Sequence, residues 1–372
     1  MVQRVSVLLF SAAFTALSAT NCFFSSSHLT AQTQPAAKVQ TLTTIAFGSC
    51  ARERRKQPVW QDIIAQAPEL FLMIGDNHYA DFWMKDGKMV MEPVRSAERI
   101  REAYQMLGDQ PGFIAMKKQC PLLATWDDHD YGANDKGNDF RLREASQKEF
   151  IRFYGFEDDH PIHKQQGIYH AKIFGSGNQR VQIILLDTRY HRDRLERKDV
   201  PGGGPYGPST NNEKTVLGEA QWSWLQDQLS QPAEIRIIAS SIQVVADEHG
   251  WETWGNFPHQ RKRLYELIKK TRADGVLFIS GDRHLMELSC DDGRSPGYPM
   301  WDFTSSGLTQ KAEEVDEPNR HRIGPVKREQ NFGMIRIDWR EKRESTRINL
   351  QGYGVGGKLL TRQTIMLDSL KN

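Results

Sequence analysis

The segment Thr125-Trp126-Asp127-Asp128-His129-Asp130-Tyr131-Gly132 places three carboxylates around one histidine, directly after the apolar run Pro121-Leu122-Leu123-Ala124. Carboxylates crowded at the end of a buried strand repel one another, and a bound cation compensates them most effectively. Two other segments share this build. Phe71-Leu72-Met73-Ile74 leads into Gly75-Asp76-Asn77-His78-Tyr79, and Val276-Leu277-Phe278-Ile279 leads, one serine later, into Gly281-Asp282-Arg283-His284. An apolar strand followed by glycine and then by oxygen or imidazole donors, repeated through one chain, points to a hydrolytic site with more than one metal.

Each residue has a chemical role open to it and a plainer one beside it. Asp76 can bridge two cations, one on each oxygen, or can be a turn aspartate. Tyr79 can bind a hard trivalent metal as phenolate or be a packed ring. Cys50 can ligate as thiolate, with Arg52 lowering its pKa, or fill a strand end as a small apolar group. Asp128 can supply a metal oxygen. His129 can protonate a leaving group, with Asp130 orienting the imidazole and Asp127 capping or bonding behind it. Asp282 and His284, two residues apart on extended backbone, can face one metal, and imidazole suits a transition metal. Arg189 and Arg283 can neutralise phosphoryl oxygens as bidentate forks or be ordinary surface charges. The histidines at 78, 249 and 259 are candidates for the cleft wall, as is the segment Trp251-Glu252-Thr253-Trp254-Gly255-Asn256, where Glu252 or Asn256 could add a ligand.

These residues need rigid elements to bring them together. Strands are expected at 42–47, 71–74, 181–186, 235–239 and 276–279, with an alternating pair at 333–339 and 345–351. Helices are expected at 59–67, 96–107, 140–154, 219–229 and 259–270, and the Gly/Pro-rich stretch 200–208 is a loop. Alternation of strand and helix implies an α/β layered domain, and such sheets place ligands at the C-terminal ends of their strands. No linker interrupts 42–351, so one catalytic domain spans 40–352 and a tail follows at 353–372.

Composition narrows the function. The chain has 372 residues, 38% of them hydrophobic, and a net charge of +2, which gives no electrostatic case for nucleic acid as the main partner. Arg4 precedes an apolar run from Val5 to Ala19 that is too short to span a membrane and fits a secretory signal peptide. Residues 1–31 are therefore expected to be a signal peptide and disordered stub, with no transmembrane segment in the mature chain and a periplasmic or extracellular location. Of the four cysteines, Cys22 belongs to that stub. An odd count remains, and Cys120 and Cys290 either pair or stay free.

Taken in order, Phe47-Gly48-Ser49-Cys50, Gly75-Asp76-Asn77-His78-Tyr79, Trp126 to Gly132, Leu186-Asp187-Thr188-Arg189-Tyr190 and Gly281-Asp282-Arg283-His284 resemble the alkaline phosphatase D (PhoD-like) family of the calcineurin-like metallophosphoesterases. The resemblance runs from about Leu42 to Gly307. It implies a two-sheet β-sandwich flanked by helices, a four-layer αββα arrangement, and a cluster of ferric iron with calcium. It maps Asp76 onto the bridging ligand, Tyr79 onto the phenolate, Cys50 onto the thiolate, and Asp128, His129, Asp282 and His284 onto the remaining site. Better-known members carry an immunoglobulin-like domain before the first motif; too few residues precede Leu42 here for one. Their signal is often of the twin-arginine type, whereas this one looks Sec-type.

The expected function is an exported alkaline phosphatase or phosphodiesterase that hydrolyses small phosphate mono- or diesters with a metal-activated hydroxide. The alternatives are an extracellular nuclease or phospholipase-type phosphodiesterase, and a non-catalytic secreted metal-binding protein.

Overall fold

The computed structural model describes residues 40–198, 203–292, 297–312 and 317–371. The expected signal peptide lies outside the described residues. Two large sheets form the core. In the first, the strand order is Leu359–Met366, Arg347–Gly354, Asn331–Asp338, Thr44–Gly48, Leu70–Ile74, Leu122–Thr125. In the second it is Arg322–Lys327, Met286–Asp291, Met300–Ser305, Val276–Ser280, Ile235–Ala239, Val181–Leu185, His170–Phe174. In the first sheet Thr44–Gly48, Leu70–Ile74 and Leu122–Thr125 run parallel at one side and the other strands are antiparallel; in the second the centre is parallel and both flanks are antiparallel.

Side-chain alternation along the strands explains the layering. Ile45, Phe47, Leu70, Leu72 and Ile74 share one apolar cluster with Ile183, Ile237, Leu277 and Phe303 of the other sheet. The Phe47 and Phe303 rings meet edge-on at 5.2 Å. The intervening residues Ala46, Phe71, Met73 and Ala124 join a second cluster with Trp60, Tyr104, Phe113 and Phe150, carried by the helices Val59–Ala65, Ala97–Gly108, Pro111–Gln119 and Arg143–Tyr154. On the far side, Trp222, Leu225, Leu264 and Ile268 of helices Gly218–Leu229 and Pro258–Lys270 cover the second sheet. Two sheets packed face to face with helices outside are the four-layer architecture expected from the resemblance.

The stretch 353–372, expected to be a tail, instead contributes the edge strand Leu359–Met366, paired along Arg347–Gly354. Its mixed polar pattern hides a strand exposed on one face. Residues 206–207 of the expected loop pair with 196–197. The short hairpin Phe82–Lys85 and Lys88–Met91 pairs with neither large sheet. No helix among the described residues is long and apolar enough to cross a membrane.

Candidate metal centre

The parallel strands end on the same edge, and the chemistry collects there. Cys50 follows Thr44–Gly48, Asp76 follows Leu70–Ile74, Asp127 to Asp130 follow Leu122–Thr125, and Asp282 and His284 follow Val276–Ser280. The loops are interlocked by their backbones. The amides of Cys50 and Ala51 donate to the carbonyls of Gly75 and Asp76 at 3.2 and 2.8 Å, and Gly281 donates to Ser241 at 2.9 Å. Glycine is required where they touch: a Cβ at Gly281 would sit 2.4 Å from Ser49 Oγ, and one at Gly75, whose φ is +111°, 2.6 Å from Asp127 Cβ. Five non-glycine residues of the site also hold left-handed backbone, with φ of +62° at Cys50, +51° at Asp76, +56° at Asp135, +67° at Asp282 and +58° at His284. Such conformations cost energy and persist where the surroundings impose them, commonly at functional sites.

The side chains converge. Asp76 Oδ2 lies 3.4 Å from Cys50 Sγ and accepts from Tyr79 Oη at 3.1 Å, and Tyr79 Oη lies 3.2 Å from His284 Nε2. Donor atoms of Cys50, Asp76 and His284 lie within 4.8 Å of one another, and the same holds for Asp76, Asp128 and His129, for Asp127, Asp128 and Asp282, and for Asp128, Asp135 and Glu252. Asp76 thus links a mixed thiol, phenol and imidazole group to a carboxylate group, and Asp128 continues the chain of donors. All six sequence-predicted ligands, Cys50, Asp76, Tyr79, Asp128, Asp282 and His284, fall in this one region.

The donor set fits metal ions. Burial pushes the Cys50 thiol well above its ordinary range, with Asp76 adding to the shift. Burial, then Asp76 and Cys50, push the Tyr79 phenol up. Burial raises Asp76 as well, partly offset by His129 and reinforced by Asp128. Three acids kept protonated chiefly by burial are what a multivalent cation would reverse together, since it binds the deprotonated forms. Arg52 is not among the main influences on the Cys50 thiol; its guanidinium lies over the Phe82 ring at 3.9 Å.

A pH dependence follows. Burial raises Asp130 and Asp135 to about 7 and Asp282 to about 6. A carboxyl whose folded pKa exceeds its unfolded value near 4 stabilises the fold fully below pH 4 and loses that contribution as pH climbs through the folded value. Between pH 4 and 6.5 the buried His78, His170, His249 and His284, whose folded values burial lowers, oppose this slope, so it is from pH 6.5 to 7.5 that chelator-treated protein should melt at progressively lower temperature, and metal loading should flatten the slope. Thermal melts across this range check it; equal slopes with and without metal would contradict it.

Three assigned roles change. Asp130 does not orient His129. It accepts from the backbone amides of Asp76, Asn77 and Asp127 at 3.1, 3.2 and 2.6 Å, tying two loops together. The imidazole is held by Asp81, both of whose oxygens lie 2.9 Å from Nδ1. Arg189, expected at the phosphoryl group, is fully buried; its Nε donates to Asp127 at 2.6 Å and its Nη1 pairs with Glu252 at 2.6 Å. Arg283 is engaged by Glu317 and by Asp282 at 3.4 Å, with its guanidinium over the Trp251 ring.

The cation without a carboxylate partner within ion-pair distance, among the described residues at this site, is Arg52. It stacks over Phe82 at 3.9 Å and faces Tyr79 at 5.2 Å. His78 is buried edge-on against Tyr104 at 4.1 Å rather than lining the cleft. Glu252, named in the sequence only as a possible further ligand, lies beside Asp128 and Asp135, and also meets Arg192 at 3.0 Å. Asp135 was not singled out in the sequence; its left-handed loop position carries no motif of its own. Cys50, Cys120 and Cys290 are all free thiols, so the option of pairing is not taken.

Comparison with known proteins agrees with this geometry. The fold is shared with solved structures of phosphatases. It matches a solved structure of PhoD with a TM-score of 0.65 at 18% identity, covering 91% of this chain and 75% of that one. It also matches the purple acid phosphatase PPD1 of yellow lupin with a TM-score of 0.53 at 12% identity, covering 88% of this chain and 54% of that one. A third match is GAP50, the anchor in the inner membrane complex of Plasmodium, with a TM-score of 0.54 at 13% identity and 90% coverage of each chain. Residues 45–349 match the sequence profile of the PhoD-like phosphatases, and the chain belongs to that family. Alkaline phosphatase D of Bacillus subtilis (strain 168) is 24% identical over 281 residues, 67% of this chain, which spans 47% of that relative's length.

Proposed function

We propose that this chain is an exported phosphoric ester hydrolase acting on small phosphate mono- or diesters. The observation that carries the reading is the meeting of thiol, phenol, imidazole and carboxylates from four separate strand ends around Asp76 and Asp128. Cys50, Asp76, Tyr79 and His284 would hold ferric iron, for which thiolate, phenolate and imidazole are suitable donors. Asp127, Asp128, Asp135, Glu252 and Asp282 offer only oxygen, which suits calcium. Bound there, such ions supply Lewis acidity toward phosphoryl oxygens and toward a water nucleophile. Export rests on the apolar N-terminal run from Val5 to Ala19.

The chain's own groups do the rest. His129 is the proton donor to the departing alcohol. Burial opposes its charge, while Asp128, Asp81 and Asp76 favour it; with cations on Asp76 and Asp128, Asp81 is the carboxylate left to support the imidazolium. With Nδ1 held by Asp81, Nε2 carries the transferable proton. Arg52 meets the phosphoryl oxygens, while Arg189 holds Asp127 and Glu252 in place behind the site.

Turnover of p-nitrophenyl phosphate and bis-p-nitrophenyl phosphate before and after chelation tests the reading and separates mono- from diester preference. Activity is expected to vanish on metal removal and return on reloading; turnover that survives complete removal would refute it. Arg52→Ala should lower kcat/KM by about 10²-fold, the scale of one preorganised charge contact, and weaken inhibition by inorganic phosphate. Unchanged phosphate inhibition would remove Arg52 from the substrate.

A further inference from the structure

The hairpin Phe82–Lys85 and Lys88–Met91 projects beside the site and carries three of the most exposed large apolar side chains, Met84 at 56%, Met89 at 48% and Met91 at 49% exposure. Its register pairs Phe82 with Met91 and Met84 with Met89. Since side chains alternate along a strand, all four share one face, while Trp83, Val90, Lys85 and Lys88 share the other. The tight Asp86-Gly87 turn, with φ of +50° and +75°, closes the ribbon without a bulge.

That apolar face begins at the site. The Phe82 ring lies 5.2 Å from His129 and 5.6 Å from Tyr79. The base of the hairpin is fixed there. Arg99 donates to the carbonyls of Ala80 and Phe82 at 3.0 and 2.9 Å, and the Glu92 amide donates to the carbonyl of Asp81, the residue that holds His129, at 2.9 Å. An exposed apolar surface continuous with a reactive group marks a place for a ligand. Methionine, flexible and polarisable, adapts to varied apolar partners.

Resting on the hydrolase reading above, we infer that Phe82, Met84, Met89 and Met91 form a subsite for the apolar part of the substrate's leaving alcohol, making amphiphilic phosphate esters the preferred class. The assignment to the leaving side comes from His129: the wall starts at the group that would protonate the departing oxygen.

The test uses n-alkyl phosphates and n-alkyl methyl phosphates from butyl to dodecyl, kept below their micelle concentrations, with alcohol release as the readout. Wild type should gain about two-fold in kcat/KM per added methylene, less than the roughly four-fold of full burial. Met84→Ser, Met89→Ser and Met91→Ser together should flatten that slope, with an unchanged circular dichroism spectrum and melting temperature reporting that the variant is folded. A wild-type rate independent of chain length, or a triple variant that keeps the slope, overturns the inference. So does conversion of a dimer to a monomer by the triple substitution with the slope unaltered, which would give the face to a second copy. Vesicle binding lost in the variant, without chain-length dependence on monomeric esters, would give it to a membrane and also overturn it. If wild type hydrolyses no phosphate ester, aryl or alkyl, the hydrolase reading fails first; hydrolysis of short esters with a flat series fails this inference alone.

Discussion

Asp76→Asn is expected to abolish turnover while leaving the fold intact. The carboxylate accepts from Tyr79 Oη at 3.1 Å and from the His129 amide at 3.2 Å, and lies 3.4 Å from Cys50 Sγ. It is the one residue shared by the thiol-bearing and the His129-bearing groups of donors. Asparagine matches its shape and tolerates the left-handed backbone at φ +51°, so the loop has no cause to rearrange. What is lost is a negative charge and one acceptor oxygen. kcat/KM should fall by roughly 10³-fold or more, at or beyond the scale of removing one preorganised electrostatic group. Because burial, Asp128 and Asp127 disfavour the ionised form, the chelated variant should melt at or above the temperature of chelated wild type at pH 7.5. Loss of activity with retained or increased stability marks a residue kept for function. Near-normal turnover would end the bridging assignment.

His129→Gln should show an effect that depends on the leaving group. General acid catalysis contributes typically ~10²–10⁴-fold, and only where the departing oxygen needs a proton. Alkyl phosphate turnover should drop by about that range, whereas release of p-nitrophenolate, already a stable anion, should drop far less. Asp81→Asn should give a weaker version of the same pattern. An amide can still bond Nδ1 at 2.9 Å, but it no longer adds a negative charge that favours the imidazolium. Equal losses for alkyl and aryl esters would assign His129 to positioning rather than proton transfer.

Much of the site was legible because an α/β sheet sends its strand ends to one edge. Once the apolar runs before Gly48, Gly75, Trp126 and Gly281 are read as parallel strands, the residues after them must gather. Local adjacency was the poorer guide. Asp130 follows His129 in sequence, but on the short helix Asp128–Tyr131 successive side chains diverge by about 100°. Asp130 therefore reaches the backbone of the Asp76 loop instead, and the imidazole finds Asp81, which no spacing marks. Arg189 was read as a free cation because the sequence does not show that Asp127 and Glu252, 62 and 63 residues away, close on it from either side. Arg52 had the signal reversed: its nearness to Cys50 pointed to the thiol, while its guanidinium turns to the Phe82 and Tyr79 rings.

Of the fold, the buried strands were plain and the edges were not. Leu359–Met366 and Arg322–Lys327 mix charged and small residues with apolar ones, since one face of each meets water. The hairpin Phe82–Lys85 and Lys88–Met91 was hidden for a different reason: its apolar residues are half-buried or exposed, so the usual link between pattern and core does not apply.

Metal analysis combined with a visible spectrum of the purified protein bears most directly on the central claim. Iron together with calcium, and a charge-transfer band that shifts in Tyr79→Phe and in Cys50→Ser, would show that phenol and thiol are ligands to one ion. A colourless, iron-free protein that hydrolyses phosphate esters at full rate, with a spectrum indifferent to both substitutions, would contradict it.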